Sequence, residues 1–86
     1  MPVFLDSHTF RWRKDLLQKI VDSPRDEFGA KTLSFIHVKD SNRGFCFIDA
    51  PDILSVENHH DKAGVKCDWI TEVTIIKPSE SSETVT

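Results

Sequence analysis

The order of the predicted elements along the chain indicates an α+β fold. Two segments have the apolar spacing of amphipathic helices, and four segments alternate or are β-rich as strands are. Turn residues separate them, in the order strand–helix–strand–strand–helix–strand. This order predicts a ferredoxin-like split βαβ sandwich, in which a four-stranded antiparallel sheet has both helices on one face and the first and third strands at its centre.

Length and charge limit the classes of function. The chain has 86 residues, enough for one domain, and we assign residues 1–77 to it and the Ser-, Glu- and Thr-rich residues 78–86 to a disordered tail. Eleven basic and fourteen acidic residues give a net charge of −3, so we expect no nucleic-acid partner. Neither a membrane span nor a signal peptide is recognisable, which predicts a cytoplasmic protein without membrane contact.

The first half of the chain predicts two strands separated by a helix. Residues 2–8 alternate with the period of a strand whose two faces are used differently. Apolar residues recur at helical spacing from about residue 10 to residue 21, with Ser7 or Thr9 available as the N-cap. Residues 32–38 alternate again and form the second predicted strand.

The second half predicts a hairpin return, a helix and a last strand. The turn-forming residues 40–44 lead into a strand over residues 45–49. Pro51 and Asp52 then open a second helix, which Gly64 is expected to end. Residues 69–76 are β-rich and form the fourth predicted strand.

Alternation also predicts which residues share a sheet face. The face expected to pack against the helices is aliphatic and comprises Val3, Leu5, Ile36, Val38, Cys46 and Ile48. The opposite face would comprise Phe4, Asp6, His8, Leu33, Phe35, His37, Phe45, Phe47 and Asp49. Because so many aromatic side chains should not face water, we expect a second copy of the chain, forming a homodimer, or a ligand against this face.

Histidines and one carboxylate are the candidate metal ligands. Imidazole and carboxylate together suit nickel, zinc or copper. Asp6 lies in the middle of a strand and needs a partner or a cation if it is buried, and His8 ends the same strand. His60 lies on the apolar stripe of the second helix, with His59 beside it, and His37 lies near a strand end. Each histidine also has a purely structural interpretation, as a hydrogen-bonding or solvent-facing side chain.

The sequence places these candidates at a distance from one another. With the first and third strands taken as parallel neighbours, His8 and Asp49 end at the same edge of the sheet, where the second helix starts. His60 lies roughly two turns further along, at about 1.5 Å per residue. We therefore expect His8 and His60 to be too far apart to share an ion within one chain, unless a dimer completes the site. Cys46 is expected to be an inert core residue, and Cys67 either binds metal or remains a free thiol.

Four short motifs resemble those of a small bacterial and archaeal family of uncharacterised function whose described member is nickel-binding and nickel-responsive. They are Met1-Pro2-x-Phe4-x-Asp6-x-His8, Phe45-Cys46 followed by Ala50-Pro51, His59-His60-Asp61-Lys62-Ala63-Gly64, and Ile70-Thr71-Glu72-Val73. The resemblance implies a ferredoxin-like homodimer that binds a divalent metal, nickel above all, through histidines. It extends to Asp6, His8 and one helix histidine. The family has a single histidine in that helix, so His59 and His60 both remain candidates, and His37 has no clear counterpart.

The resulting functional hypothesis is a metal-binding protein without catalytic activity. It would be a cytoplasmic homodimer that binds a divalent transition metal, nickel(II) first and zinc or copper as alternatives, for buffering, storage or sensing. The alternative is a dimeric α+β barrel enzyme, in which the aromatic pocket holds a small organic substrate and His8 or His60 acts as general acid and base. A third class is an interaction module whose aromatic sheet face docks another protein.

Overall fold

The computed structural model describes residues 1–9, 11 and 13–79. Its elements are β1 (Val3–Thr9), α1 (Lys14–Asp22), β2 (Lys31–His37), β3 (Arg43–Asp49), α2 (Ile53–Ala63) and β4 (Trp69–Val73). The four strands form one sheet in the order β2-β3-β1-β4, and every neighbouring pair is antiparallel. The predicted α+β ferredoxin-like fold is therefore confirmed, with the first and third strands at the centre.

Two predicted element boundaries differ from the observed ones by three or more residues. Ser7 and Thr9, the expected N-caps of α1, belong to β1, and the helix starts four residues later than predicted, after Arg13, whose side chain makes no capping hydrogen bond. The last strand ends at Val73 rather than at residue 76. Residues 10 and 12 of the predicted first helix, and residues 80–86 of the predicted tail, lie outside the described residues.

Both ends of α2 form as predicted because their sequence supplies the caps. The Asp52 carboxylate accepts a hydrogen bond from the backbone N–H of Ser55 at 2.8 Å, which satisfies one of the free donors of the first turn. Gly64 ends the helix in the left-handed conformation, with φ of 69°. The N–H of Val65 then bonds the carbonyl of His60 at 3.0 Å. These contacts set the path of the chain from α2 towards β4.

The predicted faces of β1 are exchanged in the structure. Directly paired residues of antiparallel strands share a face, and Phe4 pairs with Ile48 while Asp6 pairs with Cys46. All four of these side chains are buried on the side of the sheet that the helices cover. Phe4, Asp6 and His8 therefore do not belong to an aromatic face opposite the helices. A period of two makes such an error easy, because a shift of one residue exchanges every side chain of a strand.

A bulge in β2 changes the second strand in the same way. The register shifts between Thr32 and Ser34, which pairs Phe35 with a helix-facing residue and Ile36 with Phe45 on the open face. The expected aromatic cluster of four phenylalanines is thus divided, two on each side of the sheet. By the same pairing, the open face contains apolar and small polar residues: Val3, Leu5, Ile36, Phe45, Phe47, Trp69 and Val73, with Ser7, Ser34 and Thr71 among them.

The core of the domain is small. Its buried apolar residues are Phe4, Ala30, Cys46, Ile48, Ala50 and Val56, and α1 has no fully buried residue. Buried polar side chains accompany them at the centre of the helix-covered face, among them Asp6, His8 and His60. Among the described helices, neither is long and apolar enough to cross a membrane.

Candidate metal centre

The direction of the strands brings His8 and His60 together. β1 and β3 are antiparallel, so His8 pairs with Gly44, while Asp49 pairs with Val3 at the opposite end of the sheet. α2 starts near Asp49 and runs back along the sheet, so its last turns return to the end of β1. The rings of His8 and His60 lie 5.0 Å apart between centroids. The expectation that these histidines are too distant within one chain was therefore wrong, because it took the two strands as parallel.

Four side chains with metal-binding atoms meet at this point. One ligand atom each from Asp6, His8, His60 and Cys67 lies within 4.8 Å of the other three. Asp6 and His8 are two residues apart on β1 and so point to the same side of the sheet. His60 comes from α2 and Cys67 from the segment between α2 and β4. Asp6, His8 and His60 are 0%, 1% and 6% exposed, and Cys67 is half-buried. Three of the four side chains are therefore shielded from water, and only Cys67 is partly exposed.

Both imidazoles are oriented by backbone carbonyls. Nδ1 of His8 lies 2.9 Å from the carbonyl oxygen of Lys66, and Nδ1 of His60 lies 2.8 Å from that of Val56. A carbonyl oxygen only accepts, so in both rings Nδ1 must donate its proton. Nε2 is then the atom of each ring that meets the cluster, and it offers a lone pair when the ring is neutral. This arrangement, with Nδ1 fixed by a carbonyl, is typical of metal-binding histidines.

The Asp6 carboxylate lies between the two rings. Nε2 of His8 is 2.6 Å from Oδ1, and Nε2 of His60 is 3.0 Å from Oδ2. Within the described part of the chain, neither oxygen has a hydrogen bond of good geometry. A fully buried carboxylate without such bonds needs positive charge next to it. Two sources fit the geometry: protons on the two Nε2 atoms, or a metal ion that they share with Asp6.

The pKa values of the three buried groups follow from this proximity. Burial alone disfavours every charged form, but the short contacts between the carboxylate and the two imidazoles have the larger combined effect. The pKa of Asp6 is lowered, that of His8 is raised, and that of His60 is raised to about 9. Without metal, these shifts favour the ionised form of the Asp6 carboxyl group and the protonated form of the two rings beside it.

Cys67 completes the cluster on the side nearest to solvent. Its Sγ lies 3.9 Å from Nε2 of His8. Burial raises the pKa of the Cys67 thiol, but contacts with His60 and His8 outweigh burial and lower it overall. The adjacent Asp68 fixes the segment, because its N–H bonds the carbonyl of Ser7 at 2.7 Å. The sequence had left the role of Cys67 open, because nothing in the spacing of residues 8, 60 and 67 indicates that they meet.

The other two candidate histidines lie outside the cluster. Nδ1 of His59 contacts Asp26 Oδ2 at 2.6 Å, on the side of α2 that faces the loop before β2. Nε2 of His37 donates to the carbonyl of Ser41 at 2.8 Å, in the β2–β3 turn. Of the two helix histidines, the structure thus brings His60 and not His59 to Asp6. Cys46 is buried beside the cluster, and burial raises the pKa of its thiol to about 11, as befits an unreactive core residue.

The donor set fits a tetrahedral divalent ion in both chemistry and charge. Two neutral imidazoles, one carboxylate and one thiolate carry two negative charges, so a divalent cation would make the buried site neutral. Metal–nitrogen and metal–oxygen bonds of about 2.0–2.1 Å place tetrahedral ligand atoms about 3.3 Å apart. Nε2 of His8 and Oδ1 of Asp6 are 2.6 Å apart, so they would have to move apart by about 0.7 Å to bind the same ion.

The fold and the cluster together define the class of this protein: a small ferredoxin-like α+β domain with a buried group of four side chains that could hold a metal ion. Comparison with known proteins yielded no matching family model, no matching curated protein and no matching solved structure. The resemblance to a nickel-binding family therefore stays a prediction from four short motifs.

Proposed function

We propose that this protein binds a divalent transition metal through Asp6, His8, His60 and Cys67, and that it buffers, stores or senses that metal. The observation that supports this most is the orientation of the two imidazoles. Each is fixed at Nδ1 by a backbone carbonyl and brings Nε2 to the same buried carboxylate. A purely structural ion pair needs one histidine, whereas two histidines, a carboxylate and a thiol around one point match the ligand set of a metal.

Nickel(II) is our first candidate for the ion, and this choice depends on the resemblance described above. Zinc fits the mixed nitrogen, oxygen and sulfur donors equally well, since zinc favours four tetrahedral ligands of these types. A cleft of about 530 Å³ between α2 and β4 is lined by His60 and Cys67, with Glu57 and Asp61 among its carboxylates. This cleft would let a hydrated cation approach the cluster from the side of Cys67.

Calorimetric titration of the metal-free chain with Ni²⁺, Zn²⁺ and Co²⁺ tests the proposal. We expect one ion per chain, and for the Co²⁺ form an absorption band from sulfur-to-metal charge transfer, which Cys67→Ser removes. Cys46→Ser is the matched control and should keep the band, because Cys46 is not one of the four ligands. No binding tighter than about 100 μM, which is about −5.5 kcal/mol, would contradict the proposal.

The same titration should depend strongly on pH. The pKa values of His8 and His60 are raised in the metal-free chain, that of His60 to about 9, so both rings must lose a proton before Nε2 can bind the ion. We therefore expect the affinity to rise with pH from 6 to 9, with about two protons released per ion by the two rings near pH 7 and one more by Cys67 where its thiol is still protonated. Repeating the calorimetry in buffers of different ionisation enthalpy counts these protons. An affinity independent of pH would exclude imidazole ligands.

We also propose that the chain forms a homodimer through its open sheet face. Three large aromatic side chains, Phe45, Phe47 and Trp69, lie on this face. An apolar surface of this kind is typical of a protein–protein interface. Sedimentation velocity should give the mass of two chains, and Phe47→Glu should give the mass of one. Leu54→Glu, at an exposed apolar position on α2, is the control and should remain dimeric. A wild-type chain that sediments as a monomer would rule this out.

The alternative function, an enzyme acting on a small organic molecule, is favoured by a single observation. His8 and His60 line a cavity between the helices and the sheet, where a substrate would meet their rings. The two functions compete for the same atoms, because a metal bound to both Nε2 atoms leaves neither ring free for proton transfer. A tightly metal-loaded chain would therefore favour binding over acid–base catalysis by these histidines.

A further inference from the structure

The segment that carries Cys67 runs past the end of the pairing between β1 and β4. That pairing ends where Ser7 lies opposite Trp69. A ladder continued in the same register would place Cys67 opposite Thr9. Directly paired residues share a face of the sheet, and Thr9 points to the face opposite that of His8. In this register Cys67 would lie on the open side of the sheet, away from the cluster.

The structure departs from that register by one residue. The N–H of Asp68 bonds the carbonyl of Ser7 at 2.7 Å, so Asp68 and Trp69 both lie against Ser7. Two residues against one is the arrangement of a β-bulge, which changes the direction of the side chains next to it. Cys67 is thereby moved to the side of the sheet to which His8 points, and its Sγ lies 3.9 Å from Nε2 of that ring.

A side-chain contact fixes the extra residue of this offset. The hydroxyl of Thr9 donates to Oδ2 of Asp68 at 2.6 Å. A hydrogen bond to a carboxylate is stronger than one between two neutral groups. Two further hydrogen bonds join the segment to β1, one from the N–H of Asp68 and one from Nδ1 of His8 to the carbonyl of Lys66. Neither of these two involves the side chain of Asp68, whose direction the contact with Thr9 determines.

We propose that Thr9 and Asp68 are positioning residues of the metal centre, and that their side-chain hydrogen bond maintains the offset that brings Cys67 to His8. Neither residue belongs to the four proposed ligands. The role of Cys67 as a ligand rests on the proposed function, whereas its position relative to His8 can be measured without metal. Thr9 and Asp68 are both exposed, so either side chain can be replaced without a change in the core.

The expected effect of losing this hydrogen bond follows from strand geometry. A slip of one residue moves a side chain to the other face of a sheet, so Cys67 would turn away from the cluster and leave three ligands. Removing a group that orients a metal ligand changes the affinity by about 10- to 100-fold. We expect a change at the lower end, about tenfold, because an exposed hydrogen bond is partly replaced by one to water.

NMR spectroscopy of the metal-free chain tests the position of Cys67. Nuclear Overhauser contacts between the β-protons of Cys67 and the ring of His8 should be present in the wild-type chain and in Thr9→Ser. Thr9→Val keeps the shape of the side chain without its donor and should lose them. The contacts between the rings of His8 and His60, whose centroids are 5.0 Å apart, should persist in Thr9→Val and show that it is folded. Thr71→Val makes the same change on β4 and is the control.

The Co²⁺ form gives a second measurement. In Thr9→Val the charge-transfer band from Cys67 should be largely lost for each bound ion, and the affinity should fall about tenfold. Thr9→Ser should restore both. Asp68→Ala removes the acceptor and should have the same effect, and the double variant should be no weaker than either single variant, because the two side chains act through one contact. A merely structural role would lower the folded fraction without changing the band of each bound ion.

Three results would overturn the proposal. They are contacts between Cys67 and His8 that persist in Thr9→Val, a full charge-transfer band in that variant, and additive losses in the double variant. If Thr9→Val does not fold, Asp68→Ala decides the question by the same measurements. A wild-type chain that binds no metal would contradict the proposed function, and the loss of the Cys67 contacts in Thr9→Val would still support the positioning role.

Discussion

Replacing His60 with alanine is expected to weaken the binding of a divalent metal by more than about 100-fold. Even residues that only orient a metal ligand change affinity by 10- to 100-fold, and His60 is placed as a ligand itself. The substitution removes one of two Nε2 donors and leaves Asp6 with a single cationic neighbour. Competition with a chromophoric chelator measures the affinity, and circular dichroism at the same pH shows whether the variant is folded.

The neighbouring histidine provides the control for this experiment. His59→Ala removes the same side chain one position earlier on α2, where it contacts Asp26 and not the cluster. His37→Ala removes a histidine from the β2–β3 hairpin. Both variants should keep the wild-type affinity. If His59→Ala weakens binding as much as His60→Ala does, the assignment of the ligand to His60 is wrong.

Replacing Asp6 with alanine should destabilise the metal-free chain severely. Asp6 is fully buried, and its carboxylate is the negative charge next to both His8 and His60. Removing one partner of a buried ion pair costs about 3–5 kcal/mol, because the remaining charge has no compensation. The total stability expected of an 86-residue domain is about 4–13 kcal/mol. Urea unfolding in the presence of a chelator should therefore show a large decrease in the free energy of unfolding, or a variant that is already unfolded without urea.

The dependence of stability on pH shows whether this loss comes from the cluster. In the wild-type chain both histidine pKa values are raised, that of His60 to about 9 and that of His8 further. The stabilisation from His60 is therefore present below about pH 6.5 and is lost as the pH rises through about 9, whereas that from His8 is lost only at higher pH. Without Asp6, burial favours the neutral rings, so any remaining stability should rise as the pH increases to about 6.5. Asp49→Ala, at a partly exposed ion pair with Arg25, should cost less than about 1 kcal/mol and keep the wild-type pH profile.

The elements of this fold could be predicted because each depends on local chemistry. Alternation over β1, the Asp52 cap and the Gly64 terminus each contain their own signal, and their order is enough to indicate the ferredoxin-like arrangement. The start of α1 was misplaced because Ser7 and Thr9 are equally suited to capping a helix and to lying in a strand. The local sequence does not decide between the two, because pairing of β1 with β3 and β4 determines that these residues lie in the strand.

The faces of the sheet and the geometry of the site depend on contacts between distant segments. Whether Phe4 lies with Ile48 or with Phe47 is decided by the register of β1 against β3, and a bulge in β2 reverses the expected placement of Phe35. Such register is a property of strand pairs, and a slip of one residue moves each side chain to the other face.

By itself, the sequence determined the fold class, the residue types suited to a metal and the need of Asp6 for a cation if buried. Only the tertiary structure decided that His60 rather than His59 meets Asp6, that Cys67 joins them, and that His8 and His60 meet within one chain. The physical reason is the antiparallel sheet: α2 starts at the far end and returns along the helix-covered face, so residues 52 positions apart become neighbours. No spacing along the chain encodes that return.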